Sequence, residues 1–290
     1  MDQYVPAAVS ILFHGLAYAM ILYVISVGLS VTMGLMGFAN LAHGVFAMAG
    51  GYLTVSFMNP LGLDFVSALV VAVLAVAAIS VVLERFLYVR LYEASEIEQV
   101  LFTIGLIFMA IAVAKFIWGP LPQHLPLPGV LHSQIEMMGR SFPTYRAFII
   151  VIGMLIAFGL WAGIERTSFG ARIRASVDNR RMARSVGIDT DRLFTFTFAL
   201  GSGLAAFGGG VGAEIMAIHP GYPVEHLVYF LIVVAVGGMG SVRGPFVAAL
   251  LLGVSDTACK YLLPELGAFF IYVALFAALL WRPAGLFGRA

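Results

Sequence analysis

The sequence predicts an all-α polytopic membrane protein, a single transmembrane domain over residues 1–290, and three observations carry that prediction. Hydrophobic residues make up 61% of the 290-residue chain and Asp, Glu, Lys and Arg only 11%, against about 25% charged in an ordinary soluble domain. Sixteen basic and fifteen acidic residues cannot cover a water-soluble globule of this size. Between Gln3 and Leu83 the sole formally charged residue is Asp64. Charge-free windows recur along the rest of the chain, and a helix crossing about 30 Å of hydrocarbon needs about 20 apolar residues.

Taken in order, the windows fall at 8–33, 36–57, 64–84, 98–117, 144–164, 192–213, 226–242, 244–262 and 266–282. Eight or nine transmembrane or re-entrant helices are therefore expected. The ambiguity sits where glycines interrupt apolar sequence, at GLMGFAN (34–40) and GGMGSVRGP (237–245); each is a tight turn or a broken, re-entrant helix. No Lys or Arg precedes the first window, so the basic start of a cleavable signal peptide is missing and this window is expected to remain as a span. Seven arginines (Arg166, Arg172, Arg174, Arg180, Arg181, Arg184 and Arg192) crowd one inter-span segment, which the positive-inside rule makes cytoplasmic. Alternation then puts the N-terminus and the 214–225 loop outside. Arg85, Arg90, Arg243, Arg282, Arg289 and the C-terminus fall in the cytoplasm. Lys115 is the misfit, expected to snorkel to the headgroups beside Trp118. The 118–143 stretch, with Pro120, Pro122, Pro126 and Pro128, reads as an external loop with room for a short hairpin, either a lid or docking surface or a plain connector.

Several function classes are excluded by what is missing. The two lysines, Lys115 and Lys260, lie outside any phosphate-cradling loop, so the chain is no autonomous ATPase and needs no cofactor of its own. One cysteine, Cys259, and six histidines without an H-x-x-x-H pair give no metal site. A net charge of +1 offers nothing to nucleic acid. Asp256 alone lies well inside an apolar run, and beside Thr257 and Lys260 it reads as a hydrogen-bonded polar residue near an interface. GSGLAA at 201–206 matches a dinucleotide pattern in form only, because no strand precedes it.

Three constellations remain. Gly201, Ala205, Gly209 and Ala213 repeat every four residues on one helical face, which suits close helix packing or a seam that moves. If a helix starts at Asn40, then Ala39, His43, Ala47 and Gly51 share a stripe flanked by Gly44. That face either lines a substrate pathway, with helix N–H groups ready for a carboxylate, or packs with His43 bonded to a neighbouring carbonyl. The arginine-rich segment 165–191 predicts one amphipathic helix over about 171–186, stopped at Gly187, that either docks into a soluble partner or is only a topogenic cluster.

GLMGFANLAHG (34–44), the RA-x3-N-x3-A-x3-GI spacing from Arg174 to Ile188, VGGMGSVRGP (236–245) and WRPAGLFGR (281–289) together resemble the LivH-type permease of branched-chain amino acid ABC importers, over nearly the full chain. Its partner permease carries a different, LGHG-like first motif. In place of the general E-A-A coupling form stand Arg174, Ala175 and Ser176, a departure similar to the family norm. The resemblance implies a second permease of LivM type, two cytoplasmic ATP-binding subunits that hold the ATP, a periplasmic solute-binding protein, and residence in a bacterial inner membrane. It implies that Arg174, Ala175, Asn179, Ala183, Gly187 and Ile188 belong to the ATPase-coupling helix. Asn40 and His43 would belong to a pathway-lining broken helix. Branched-chain or other neutral amino acids are the expected solutes, with amides, urea and aromatic acids also in range. A stand-alone channel for small neutral solutes is the alternative.

Overall fold

Twelve α-helices and one β-hairpin form the molecule among the residues that the computed structural model describes: 4–37, 40–92, 94–137, 140–281 and 285–287. The helices are α1 (Tyr4–Met36), α2 (His43–Met58), α3 (Phe65–Phe86), α4 (Glu96–Trp118), α5 (Thr144–Glu165), α6 (Ser168–Asp178), α7 (Arg180–Ser185), α8 (Thr190–Gly212), α9 (Tyr222–Glu225), α10 (Leu227–Gly237), α11 (Arg243–Leu262) and α12 (Gly267–Trp281). Six of them, α1, α3, α4, α5, α8 and α11, are long and apolar enough to cross a membrane.

The expected windows at 36–57, 226–242 and 266–282 are shorter as helices: α2, α10 and α12 hold 16, 11 and 15 residues. At about 1.5 Å per residue none reaches across about 30 Å of hydrocarbon on its own. The cause is local backbone chemistry. Gly37, Gly238 and Gly240 adopt φ of 74°, 97° and 75°, left-handed positions that glycine tolerates and that end a helix. Before α12, a single 3-10 turn at Pro264–Leu266 replaces helix.

Caps define the other ends. Asp64 accepts from Ser67 N at 3.1 Å and starts α3, and the Ser67 hydroxyl, followed by that backbone N–H, holds its carboxyl below the usual carboxylate range. Ser95 and Glu98 form a reciprocal capping box on α4, which satisfies two backbone donors at the start of that helix. Lys115 sits exposed in the last turn of α4, where the helix dipole favours a cation. The 118–143 stretch does contain the expected hairpin, β1 (Gln134–Met137) antiparallel to β2 (Arg140–Pro143), with Ile135 opposite Phe142.

At the centre stands α8, packed against α1, α2 and α3, while α11 covers the other side of α1. Backbones approach directly. A methyl group at Gly28 would overlap the Gly201 carbonyl, and one at Gly209 would overlap the Ala47 carbonyl. Gly208 and Gly212 meet Ile25 and Ile21, so α1 descends as α8 ascends. The anticipated stripe thus divides its contacts: Gly201 meets α1 and Gly209 meets α2, with Ala205 and Ala213 buried beside them. The outer helices behave oppositely. Leu101, Phe108, Met109 and Phe116 on α4 and Phe158 on α5 stay more than half exposed, as suits lipid-facing surface.

Gly209→Ala and Gly105→Ala make the same chemical change in two environments. Gly105 has nothing within 4 Å of an added Cβ, so Gly105→Ala should leave thermal stability in detergent unchanged or slightly raised. Gly209→Ala should lower it, by about 1–3 kcal/mol for forcing α2 and α8 apart; equal melting temperatures for the two variants would contradict the packing described.

Candidate functional site

Separated stretches of sequence converge at one end of the bundle. The last two turns of α1, the 238–242 loop and the stretch 285–287 form a single backbone knot. Gly240 N donates to Ser30 O at 3.0 Å, and Ser30 Oγ donates to Ser241 O at 3.0 Å. Leu286 N donates to Val236 O at 2.7 Å and Phe287 N to Gly237 O at 3.2 Å. No larger residue fits there, because an added methyl at Gly34 would overlap Gly240 and one at Gly237 would overlap Gly244 and Pro245. Arg282 and Arg289, used in the orientation argument, and Ala39 of the His43 stripe lie outside the described residues.

The arginine-rich segment sits at the same end. Arg243 at the start of α11 pairs with Glu165 at the end of α5, and Glu165 also accepts from Trp161 Nε1 at 3.0 Å. The one helix expected over 171–186 is two. Asn179 takes extended φ/ψ of −157°/97° and caps α7 by accepting from Met182 N at 2.9 Å. An asparagine gains more as an N-cap than inside a helix, which explains the break. Gly187 does stop the run, at φ 86°, with Gly187 N on Arg184 O and Ile188 N on Ala183 O, both at 3.0 Å.

Both short helices are fastened to spans. Gly170 lies so close to the Ile164 carbonyl that a methyl would not fit, and the Arg174 guanidinium donates to that carbonyl, a cation on the C-terminus of α5. On the other side Arg180 and Arg184 reach Asp191 at 3.0 and 2.6 Å. Arg184 Nε also donates to Thr190 Oγ1 at 2.7 Å, and the Arg180 guanidinium stands 4.5 Å from the Phe194 ring centre. α7 is therefore clamped to the first turn of α8. Ala183 is buried and Arg174 and Ile188 half-buried, whereas Ala175, Asn179 and Gly187 face outward. Val177, Met182 and Val186 are 40%, 62% and 70% exposed. Three apolar side chains therefore stand exposed at a charged end.

Nothing in the sequence sets Glu84 apart, one residue before Arg85 at the end of a window. The structure buries it, 1% exposed, with Tyr92 Oη donating to Oε1 at 2.6 Å and Thr195 Oγ1 to Oε2 at 2.8 Å. It joins α3, α8 and the segment before α4 directly above the Arg180–Asp191 clamp. Only a view of all three segments together reveals it.

The Asn40 face is closed in this structure. The helix begins at His43, after a turn in which Asn40 Oδ1 accepts from Ala42 N at 3.1 Å and from Tyr88 Oη at 3.1 Å. His43 Nε2 donates to the Ile25 carbonyl of α1 at 3.0 Å. Gly44 rests on Pro223, Ala47 on Gly209, and Gly51 on Ile218 and Gly209. These are packing contacts, and a solute route along them requires α2 to part from α8. Ala47→Leu should accordingly lower membrane yield, complex assembly and uptake in parallel. Normal assembly with uptake abolished would instead return this face to the route.

Comparison with known proteins agrees with the fold. The chain is 27% identical to the high-affinity branched-chain amino acid transport system permease protein BraD of Pseudomonas aeruginosa, covering 96% of this chain and 95% of that one. It is 25% identical to the corresponding LivH protein of Escherichia coli (strain K12), covering 96% and 94%. Among solved structures, a chain of PsaBC from Streptococcus pneumoniae in complex with Fab superposes with a TM-score of 0.51 at 13% identity, covering 92% of this chain and 88% of that one; this likeness speaks for the fold alone. The profile of the family described as "Branched-chain amino acid transport system / permease component" matches residues 11–279, and the chain belongs to that family.

Proposed function

We propose that this chain is the LivH-type permease subunit of an ATP-driven importer that carries branched-chain or other neutral amino acids into a bacterial cytoplasm. The observation that carries the proposal is the clamped pair α6–α7: an outward apolar and arginine-bearing surface, held between the ends of α5 and α8, in a chain without a nucleotide site of its own. Two cytoplasmic ATP-binding subunits receive that surface, with Ala175, Asn179 and Gly187 at the contact and Arg174, Ala183 and Ile188 behind it. A LivM-type second permease completes the membrane part, and a periplasmic binding protein delivers the solute to the opposite face. A stand-alone channel would leave this surface without a use.

In this reading the arginine-rich end is cytoplasmic, the N-terminus and the 118–143 hairpin face outward, and the shorter helices α2, α10 and α12 add crossing or re-entrant segments to the six spans within the bacterial inner membrane. Force from an ATPase displaces α7. The Arg180 and Arg184 pairs to Asp191 pass it to α8, and the glycine contacts of α8 pass it to α1 and α2. Because close-packed backbones shift between discrete arrangements rather than bend, such a push moves whole helices.

Two measurements test this. Gly187→Val places a branched side chain at φ 86°, a strain of about 1–2 kcal/mol, and misaims the end of α7. The assembled complex should persist and hydrolyse ATP, while uptake falls about tenfold or more; full uptake would refute the coupling role. For orientation, with Cys259 replaced by Ser, a cysteine at Asp178 should resist an impermeant thiol reagent outside intact cells, and one at His124 should react. Labelling at 178 would reverse the topology.

A further inference from the structure

Opposite the arginine-rich end a cavity of about 610 Å³ opens between α1, α5, α11 and the 215–229 segment, within the roughly 300–1,000 Å³ range of small-molecule sites. Its lining carries both signs of charge, with Asp256 and Glu225 against Lys260 and Arg146. Asp256 is 2% exposed. Its Oδ2 accepts from Lys260 Nζ at 2.7 Å, but its Oδ1 is buried without a hydrogen-bond partner. An ionised oxygen left so is costly in a folded interior. Its surroundings suit a cation. Lys260 Nζ stands 5.7 Å from the Tyr18 ring centre and 6.0 Å from that of Tyr229, so two rings and a carboxylate enclose one ammonium. The side chain of Lys260 remains 49% exposed on a flexible stem.

We propose that this cavity is a binding station for an amino acid zwitterion. The ligand's ammonium donates to Asp256 Oδ1 and shares the tyrosine cage, while Lys260 swings outward to follow its carboxylate, with Arg146 at the rim. A simple anion would face Asp256 and Glu225, and a simple cation would have to expel Lys260 without compensating it. The zwitterion satisfies both groups. Ile215 and Met216 on the cavity wall offer an aliphatic side chain an apolar rest. The inference rests on the importer reading and extends it, by giving this chain its own recognition of the solute after the binding protein lets go.

The test uses the assembled transporter in nanodiscs, without binding protein, with Cys259→Ser and a reporter cysteine replacing the exposed Ala217 of the cavity wall. The rate of labelling by a charged maleimide is read against millimolar L-leucine, leucinamide (ammonium only) and 4-methylpentanoate (carboxylate only). L-leucine should slow labelling at least threefold, the two singly charged analogues should not, and Asp256→Asn should abolish the protection in a complex that still assembles. The analogue series needs no change at Asp256, so it decides the matter even if that variant fails to fold. Protection by either analogue equal to that of leucine overturns the zwitterion assignment. Labelling indifferent to leucine, in a complex that takes up leucine when the binding protein is supplied, overturns the station and leaves the importer reading standing. A complex that takes up no amino acid at all removes the importer reading, and the station with it.

Discussion

The structure depends on the contact of bare backbone between α8 and its neighbours. Inside a bilayer the hydrophobic effect does not drive helix against helix, because lipid tails are as apolar as leucine; close van der Waals contact has to do it. Gly28 on Gly201, Gly50 on Ala206 and Gly209 on Ala47 supply that contact. Side chains then lock it. His43 bonds to the Ile25 carbonyl at 3.0 Å, Tyr145 Oη donates to the Val211 carbonyl at 2.7 Å, and the Phe198 ring lies 5.7 Å from Phe46 and 4.8 Å from Tyr88. His43 thus ties α2 to α1 and Tyr145 ties α5 to α8, while Thr32, Thr54 and Thr103 return their hydroxyls to carbonyls of their own helices.

That economy explains why the charged end is so densely knotted. α8 begins in water and ends deep in the bundle, so any device that turns it has to grip its first turn. Thr190, Asp191, Phe194 and Thr195 are the four gripped residues, held respectively by Arg184, by Arg180 and Arg184, by the Arg180 guanidinium, and by Glu84. The exposed ion pairs among these are each worth no more than about 1 kcal/mol. Their value is in geometry: two arginines one helical turn apart converge on one carboxylate, which fixes the angle between α7 and α8. Glu84 is different, since a buried carboxylate with two hydroxyl donors is expensive to disturb. It ties α3, α8 and the segment before α4 together beside the exposed clamp.

How much of this was visible in the sequence varied with the range of the interaction. Helix positions were legible, since charge-free windows fix them locally, and so were the stop at Gly187 and the breaks near 37 and 238, where glycine is the only residue that enters left-handed space without cost. The split at Asn179 was not, although Asn-x-x-Met is a plain N-cap pattern, because the amphipathic period runs unbroken through it. The spacing of Gly201, Ala205, Gly209 and Ala213 marked a packing face but not its partners, and it concealed the second face, Gly208 and Gly212, that meets Ile25 and Ile21 on α1. His43 shows the limit most plainly. Its stripe of small residues is equally suited to a solute and to another helix, and nothing near it in sequence points to its hydrogen-bond partner, the Ile25 carbonyl eighteen residues upstream.

Asp256 belongs to the same class of long-range fact, and it bears on how the two ends differ. At the arginine-rich end every described carboxylate in the clamp has a cation or hydroxyl donor within bonding distance, consistent with a surface whose function is rigid transmission. At the other end a carboxylate oxygen is buried without a partner, the lysine that pairs with its twin is half in solvent, and the nearby His219–Glu225 contact at 2.9 Å joins a loop residue to the end of the four-residue helix α9. Unsatisfied polarity and loosely held charge would be a defect in a transmission element. In a chamber that a charged solute must enter and leave they are the right arrangement, because a site with every partner already filled would have nothing to exchange.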